Sequence, residues 1–208
     1  MMLLSQSVCL ILLALSFLVS RARSEIMGYR TVSKEEANII NQRRKPYRDD
    51  SFDKMALYFN YLGVGYSLVN VPAGWPSNDD EWHCVIEADS NKLDAVSKIW
   101  IPEYFDDPTW FGKTERVELW DAKEEVIKEY IEIKTGLDAE KTLRFSPAIS
   151  QVKHMDANML QMVIPTKAIK NDELGFWAHC FEEKQELLNY SKETIPWDQW
   201  EIQGFPSN

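Results

Sequence analysis

Positive charge, histidine, cysteine and long apolar runs are all scarce in this sequence, and each shortage removes a class of function. Lysine and arginine total 23 against 33 acidic residues, a net charge of −10. Such a surface repels phosphate backbones, so no nucleic-acid partner is expected. The three histidines, His83, His154 and His179, stand apart, none at ligand spacing from a second histidine or cysteine. His83-Cys84 and His179-Cys180 look like matching half-sites, but neighbours on a strand point to opposite faces and cannot easily share an ion. No metal is expected. Nothing matches the Gly-x-Ser-x-Gly elbow of a serine hydrolase. A glycosidase needs two carboxylates across a cleft, and among 33 acids almost any pair qualifies, so that pattern decides nothing. No apolar run reaches the roughly 20 residues of a membrane helix. There is also no internal repeat and no low-complexity linker, which argues for one unit.

The longest apolar run, Val8 to Val19, comes at the start. Its length suits the core of a secretory signal peptide, and Ser20-Arg21-Ala22 or Ala22-Arg23-Ser24 supplies small residues for cleavage. No lysine or arginine precedes the run, which leaves a membrane anchor as the alternative. With residues 1–24 taken as the leader, residues 25–208 make a single secreted, extracellular domain. Its net charge is −12, because Arg21 and Arg23 leave and no acid does. All eight tryptophans lie in it, enough to build a real core. Cys9 leaves with the leader. Cys84 and Cys180 remain, and in an exported protein two cysteines are expected to pair, with two separate buried thiols as the alternative. A bridge between them would add about 4–5 kcal/mol in the chain-entropy model. Asn189-Tyr190-Ser191 is an N-glycosylation acceptor, which puts Asn189 on the surface.

Alternation and capping signals give the elements. Ile26 to Val32 reads as a strand, and Ser33 with Glu36 makes a capping box opening a helix to about Arg43. Tyr66 to Val69 is a strand, with Gly63 and Gly65 punctuating its approach. Trp82 to Ala88 alternates as a half-buried strand should, and Ile99 to Ile101 is another. Asp121 reads as the cap of a helix with the stripe Ala122, Val126, Ile127, Tyr130 and Ile131, ending at Gly136. Leu160 to Ile164 and Phe176 to Phe181 are strands, and a last helix runs from Glu182 to about Tyr190. Strands and helices interleave without a regular βαβ rhythm, which predicts an α+β fold.

Four segments stand out in order: Gly28-Tyr29-Arg30, Leu62-Gly63-Val64-Gly65-Tyr66-Ser67-Leu68, Leu160-Gln161-Met162-Val163-Ile164-Pro165 and Gly175-Phe176-Trp177. Together they resemble the ADP-ribosyltransferase fold, in particular its cholera-toxin-like group and the secreted fungal proteins related to it. The resemblance covers about Gly28 to Phe181. It implies a split β-sheet core with flanking helices, NAD as substrate or ligand, and a toxin or effector role against a host protein. The expected state is a monomer.

By that resemblance Arg30 grips the diphosphate or ribose of NAD through forked, charge-assisted hydrogen bonds. Tyr66 stacks on the nicotinamide, Ser67 is what is left of a hydroxyl-rich motif, and Gly65 lets the backbone approach the ligand. As a residue alone, Tyr66 fits a core aromatic equally well, and Gly63 and Gly65 fit a turn. The family's catalytic glutamate falls on Gln161 and its earlier acid on Met159. Glutamine can hydrogen-bond the ribose but brings no charge to the sugar cation formed as the glycosidic bond breaks. A unit charge at about 4 Å is worth around 4 kcal/mol at an effective dielectric of 20. That is roughly 10³-fold in rate. Asp156 and Glu173 are acids that could substitute, and the spacing favours neither. Two functions therefore stand: an NAD-consuming transferase or glycohydrolase, and a pseudoenzyme that recognises a host protein on the same scaffold.

Overall fold

Among the described residues seven strands build the main sheet: β1 (Ser24–Ser33), β2 (Gly65–Val69), β3 (Glu81–Asp89), β4 (Lys98–Trp100), β7 (Leu143–Pro147), β8 (Leu160–Pro165) and β9 (Trp177–Phe181). Their spatial order is β4-β7-β8-β2-β1-β3-β9, with β4 and β7 parallel and every other pair antiparallel. A separate two-stranded ribbon pairs β5 (Tyr104–Pro108) with β6 (Thr114–Glu118). The helices are α1 (Lys34–Arg43), α2 (Ser90–Ala95), α3 (Glu124–Glu129), α4 (Thr166–Lys170) and α5 (Lys184–Tyr190). The fold is α+β, as the irregular interleaving of elements predicts. The computed structural model describes residues 24–48, 61–75, 77, 80–108, 114–148 and 159–206. The expected leader up to residue 23, His154 and Asp156 lie outside the described residues, whereas Ser24 already opens β1. Among the described residues no helix is long and apolar enough to cross a membrane.

Local signals set most of these elements. Ser33 caps α1, its Oγ accepting from the Glu36 amide at 3.2 Å, but the expected capping box is only half made, because the Glu36 side chain turns to Arg30. The helix expected from Asp121 begins later, at Glu124. Asp121 adopts φ 60° in a turn and donates its amide to the Tyr61 carbonyl, so Lys123 takes the cap position. The last part of that helix, Tyr130–Thr135, winds as a π-helix and ends at Gly136 with φ 73°.

The sheet buries both faces. On one, Phe145 meets Trp100, Trp197 and Trp200 at ring separations of 5.5–6.2 Å, and the Trp197 indole donates to the Met27 carbonyl. On the other, Ile99 and Val163 pack with Leu62, Leu119, Ile127 and Ile131 beneath α3. Cys84 and Cys180 stand directly opposite each other on β3 and β9 and form the disulfide expected from the sequence. Edge strands invite association unless they are covered. Here Asn41 brackets β9, donating to the Cys180 carbonyl at 2.9 Å and accepting from its amide at 2.8 Å. At the other edge Gln203 exchanges backbone bonds with Lys98 and Trp100 of β4.

Candidate functional site

Arg30 lies near the middle of β1 and Tyr66 at the start of β2. The Arg30 guanidinium stands 4.4 Å over the Tyr66 ring, a cation–π contact in a desolvated setting. Its Nη1 donates to the Ser67 carbonyl at 3.0 Å and its Nε to Glu36 Oε1 at 3.3 Å. Glu36 is carried there by the first turn of α1 and is itself buried. Burial works against the arginine's charge, but Glu36 and Tyr66 together hold its pKa above the ordinary value. Burial raises the Tyr66 hydroxyl pKa well above its ordinary value, against the opposing pull of Arg30, and that hydroxyl has no hydrogen-bond partner among the described residues. The sequence thus brings Arg30 and Tyr66 together, on a tyrosine that is fully buried.

Gln161, the position of the expected catalytic glutamate, is placed by strand register. Gln161 pairs with Val69, and Val69 pairs with Tyr29. Paired residues share a face and neighbours along a strand alternate. Gln161, Val69 and Tyr29 therefore face one side of the sheet, and Arg30, Leu68 and Tyr66 face the other. Ser67 pairs with Val163 and falls on the side of Gln161. The candidate set divides in two, Arg30 with Tyr66 and Ser67 with Gln161, with the sheet between them.

The Gln161 side chain is 1% exposed, and neither its amide nitrogen nor its amide oxygen has a hydrogen-bond partner among the described residues. Ser146 is its register partner on β7. Met159, at the earlier acid's position, is buried. Glu173 accepts from Asn171 at 3.2 Å in the turn after α4. Gly65 makes its close approach to protein: a β-carbon there would stand 2.4 Å from the Ile164 carbonyl oxygen. Its missing side chain lets β2 lie against β8 and opens no space for a ligand.

The remaining expected positions are simply located. His83 and His179 sit on the face opposite the disulfide, as strand alternation requires. Among the described residues no group of histidine, cysteine, aspartate or glutamate is placed to hold a metal ion. Asn189 is exposed on α5 and accepts from Gln185 at 3.0 Å.

A polar centre that local pattern did not reveal lies under α3. Arg144, completely buried on β7, forms a forked pair with Glu124 at 2.8 and 2.9 Å and also donates to the carbonyls of Leu62 and Ala139. Glu124 in turn accepts the Val64 amide at 2.6 Å. Gly63, at φ 84°, closes the loop over this pair; a β-carbon there would stand 2.2 Å from the Glu124 carboxylate. The one available signal was an arginine inside the run Leu143-Arg144-Phe145. Every bond it makes organises the fold.

The model of a family of unknown function (DUF5910) matches residues 60–205. No curated protein and no solved structure matches the chain.

Proposed function

The chain belongs to DUF5910, a family of unknown function, and we propose that it is an exported, non-catalytic recognition domain on an ADP-ribosyltransferase-like scaffold. It acts as a monomer on a protein of a host organism. The observation that carries this reading is the division of the motif residues between two faces of one sheet. Cleaving NAD needs the group that holds the dinucleotide and the group that steadies the ribosyl cation on the same bound molecule. A strand separates them here. Arg30 is also already matched by Glu36, so a phosphate would have to displace a carboxylate in place. The disulfide fits an oxidising compartment, and the two covered sheet edges fit a monomer that works through its side-chain surfaces.

NAD binding and turnover by the purified protein, with Arg30→Ala beside it, test this reading. We expect glycohydrolysis at the buffer background and no calorimetric signal for NAD or ADP-ribose. Arg30→Ala should lower thermal stability, since it leaves Glu36 buried without its partner. Turnover above background, abolished by Arg30→Ala in a variant that keeps the parent's near-UV spectrum, would restore the transferase reading and NAD as its substrate.

A further inference from the structure

A hollow of about 250 Å³ opens between α2, the start of β7 and α4, apart from both Arg30 and Gln161. Its floor is apolar, made by the buried side chains of Leu143, Ala168 and Leu174. Lys92, Lys141 and Glu173 line it as well, all three at least partly exposed.

The described lysines divide between those held on a carboxylate and those that are not. Lys45, Lys128, Lys134 and Lys167 each rest on a carboxylate, as a chain with 33 acids and 23 bases readily allows. Neither the Lys92 nor the Lys141 ammonium has a carboxylate partner among the described residues. Glu173 is the acid that lines the hollow, and it takes a hydrogen bond from Asn171. Two lysines without a carboxylate partner lining a hollow with an apolar floor make a site with one preference in charge and one in body. An apolar cavity of roughly 150 Å³ is enough for benzene, so this hollow has room for a phenyl-sized body and a carboxylate. Glu173 sets a limit on charge, since a second negative group in the ligand would meet it.

We propose that this hollow binds a small monocarboxylic acid with an apolar body. The carboxylate lies between Lys92 and Lys141, and the body rests on Leu143, Ala168 and Leu174. The proposal does not depend on the reading of Arg30 and Gln161.

The test is nitrogen–proton shift mapping of the purified protein with 3-phenylpropionate. Its uncharged amide and inorganic phosphate serve as comparisons. The acid should give saturable shifts centred on Leu143, Ala168 and Leu174, with a Kd of about 1 mM for a ligand of this size. The amide and phosphate should each bind several-fold more weakly. Lys92→Gln and Lys141→Gln should each weaken the acid by about two- to fivefold, the range of a partly solvated charge contact. Both side chains are exposed, so the variants keep the fold. The proposal is overturned if the amide or phosphate binds as tightly as the acid, if the double variant keeps the parent's affinity, or if the shifts fall elsewhere or fail to saturate.

Discussion

Arg144 has no exposed surface, yet its hydrogen bonds end on three separate stretches of chain, at Leu62, Glu124 and Ala139. Removing one side of a buried ion pair leaves the other charge without compensation, a loss of about 3–5 kcal/mol. Arg144→Ala should therefore destabilise the protein by about that amount in urea unfolding. Glu124→Gln should cost a comparable amount, because it strands the buried guanidinium without its counter-charge and sets an amide donor against one arginine nitrogen. An Arg144→Ala variant within about 1 kcal/mol of the parent would show that the pair does not hold the loop at Gly63. The same residue shows a limit of reading sequence. In Leu143-Arg144-Phe145-Ser146, arginine and serine look like a solvent face, but α3 covers that face and brings Glu124 to meet the charge.

Helix α5 lies over the face of β3 and β9 that carries His83 and His179. Tyr190 stacks near Trp177 and Phe181, and its hydroxyl donates to Glu87 at 2.7 Å. Burial holds the His83 pKa below the ordinary value, helped by Lys184 of α5 and opposed by Glu81 and Glu183. Burial and Arg44 do the same for His179, opposed by Glu186. Arg44 can only donate, and its Nη1 lies 2.8 Å from Nδ1 of His179, so the imidazole accepts there as the neutral form. Both folded-state pKa values lie below the unfolded value of about 6.5. Their contribution to stability is therefore present above about pH 6.5 and is lost as pH falls toward the depressed values. Thermal melts should show a falling Tm from about pH 7.5 to 5.5, and His83→Phe should shrink the fall. A Tm that holds or rises on acidification would contradict this assignment.

At this scale much of the fold was legible. Alternation placed β3, capping chemistry placed α1, and proline or glycine stops bounded β8 and the end of the π-helical turn. The β5–β6 ribbon was not, because Asp106, Asp107, Glu115 and Arg116 give it no apolar alternation. Phe105 against Tyr130 and Lys134 with Asp107 hold it to the body, contacts that no local pattern encodes.

For the molecule as a whole, strand parity decides what the motif residues can do together. The order Arg30, Tyr66, Ser67, Gln161 was readable from sequence, but the face on which each lands depends on register between distant strands. Tyr29 opposite Val69 and Val69 opposite Gln161 put the glutamine and the arginine on opposite sides. Restoring the missing charge at Gln161 tests this most directly, by NAD glycohydrolysis of Gln161→Glu against the parent. The account predicts no gain in rate and a destabilised variant, because the new carboxylate is buried on the face away from Arg30. Burial raises the pKa of such a group, so the penalty should be absent below about pH 4 and grow as pH rises. A folded Gln161→Glu variant that hydrolyses NAD tens of times faster than the parent, and loses that gain with Arg30→Ala, would contradict it.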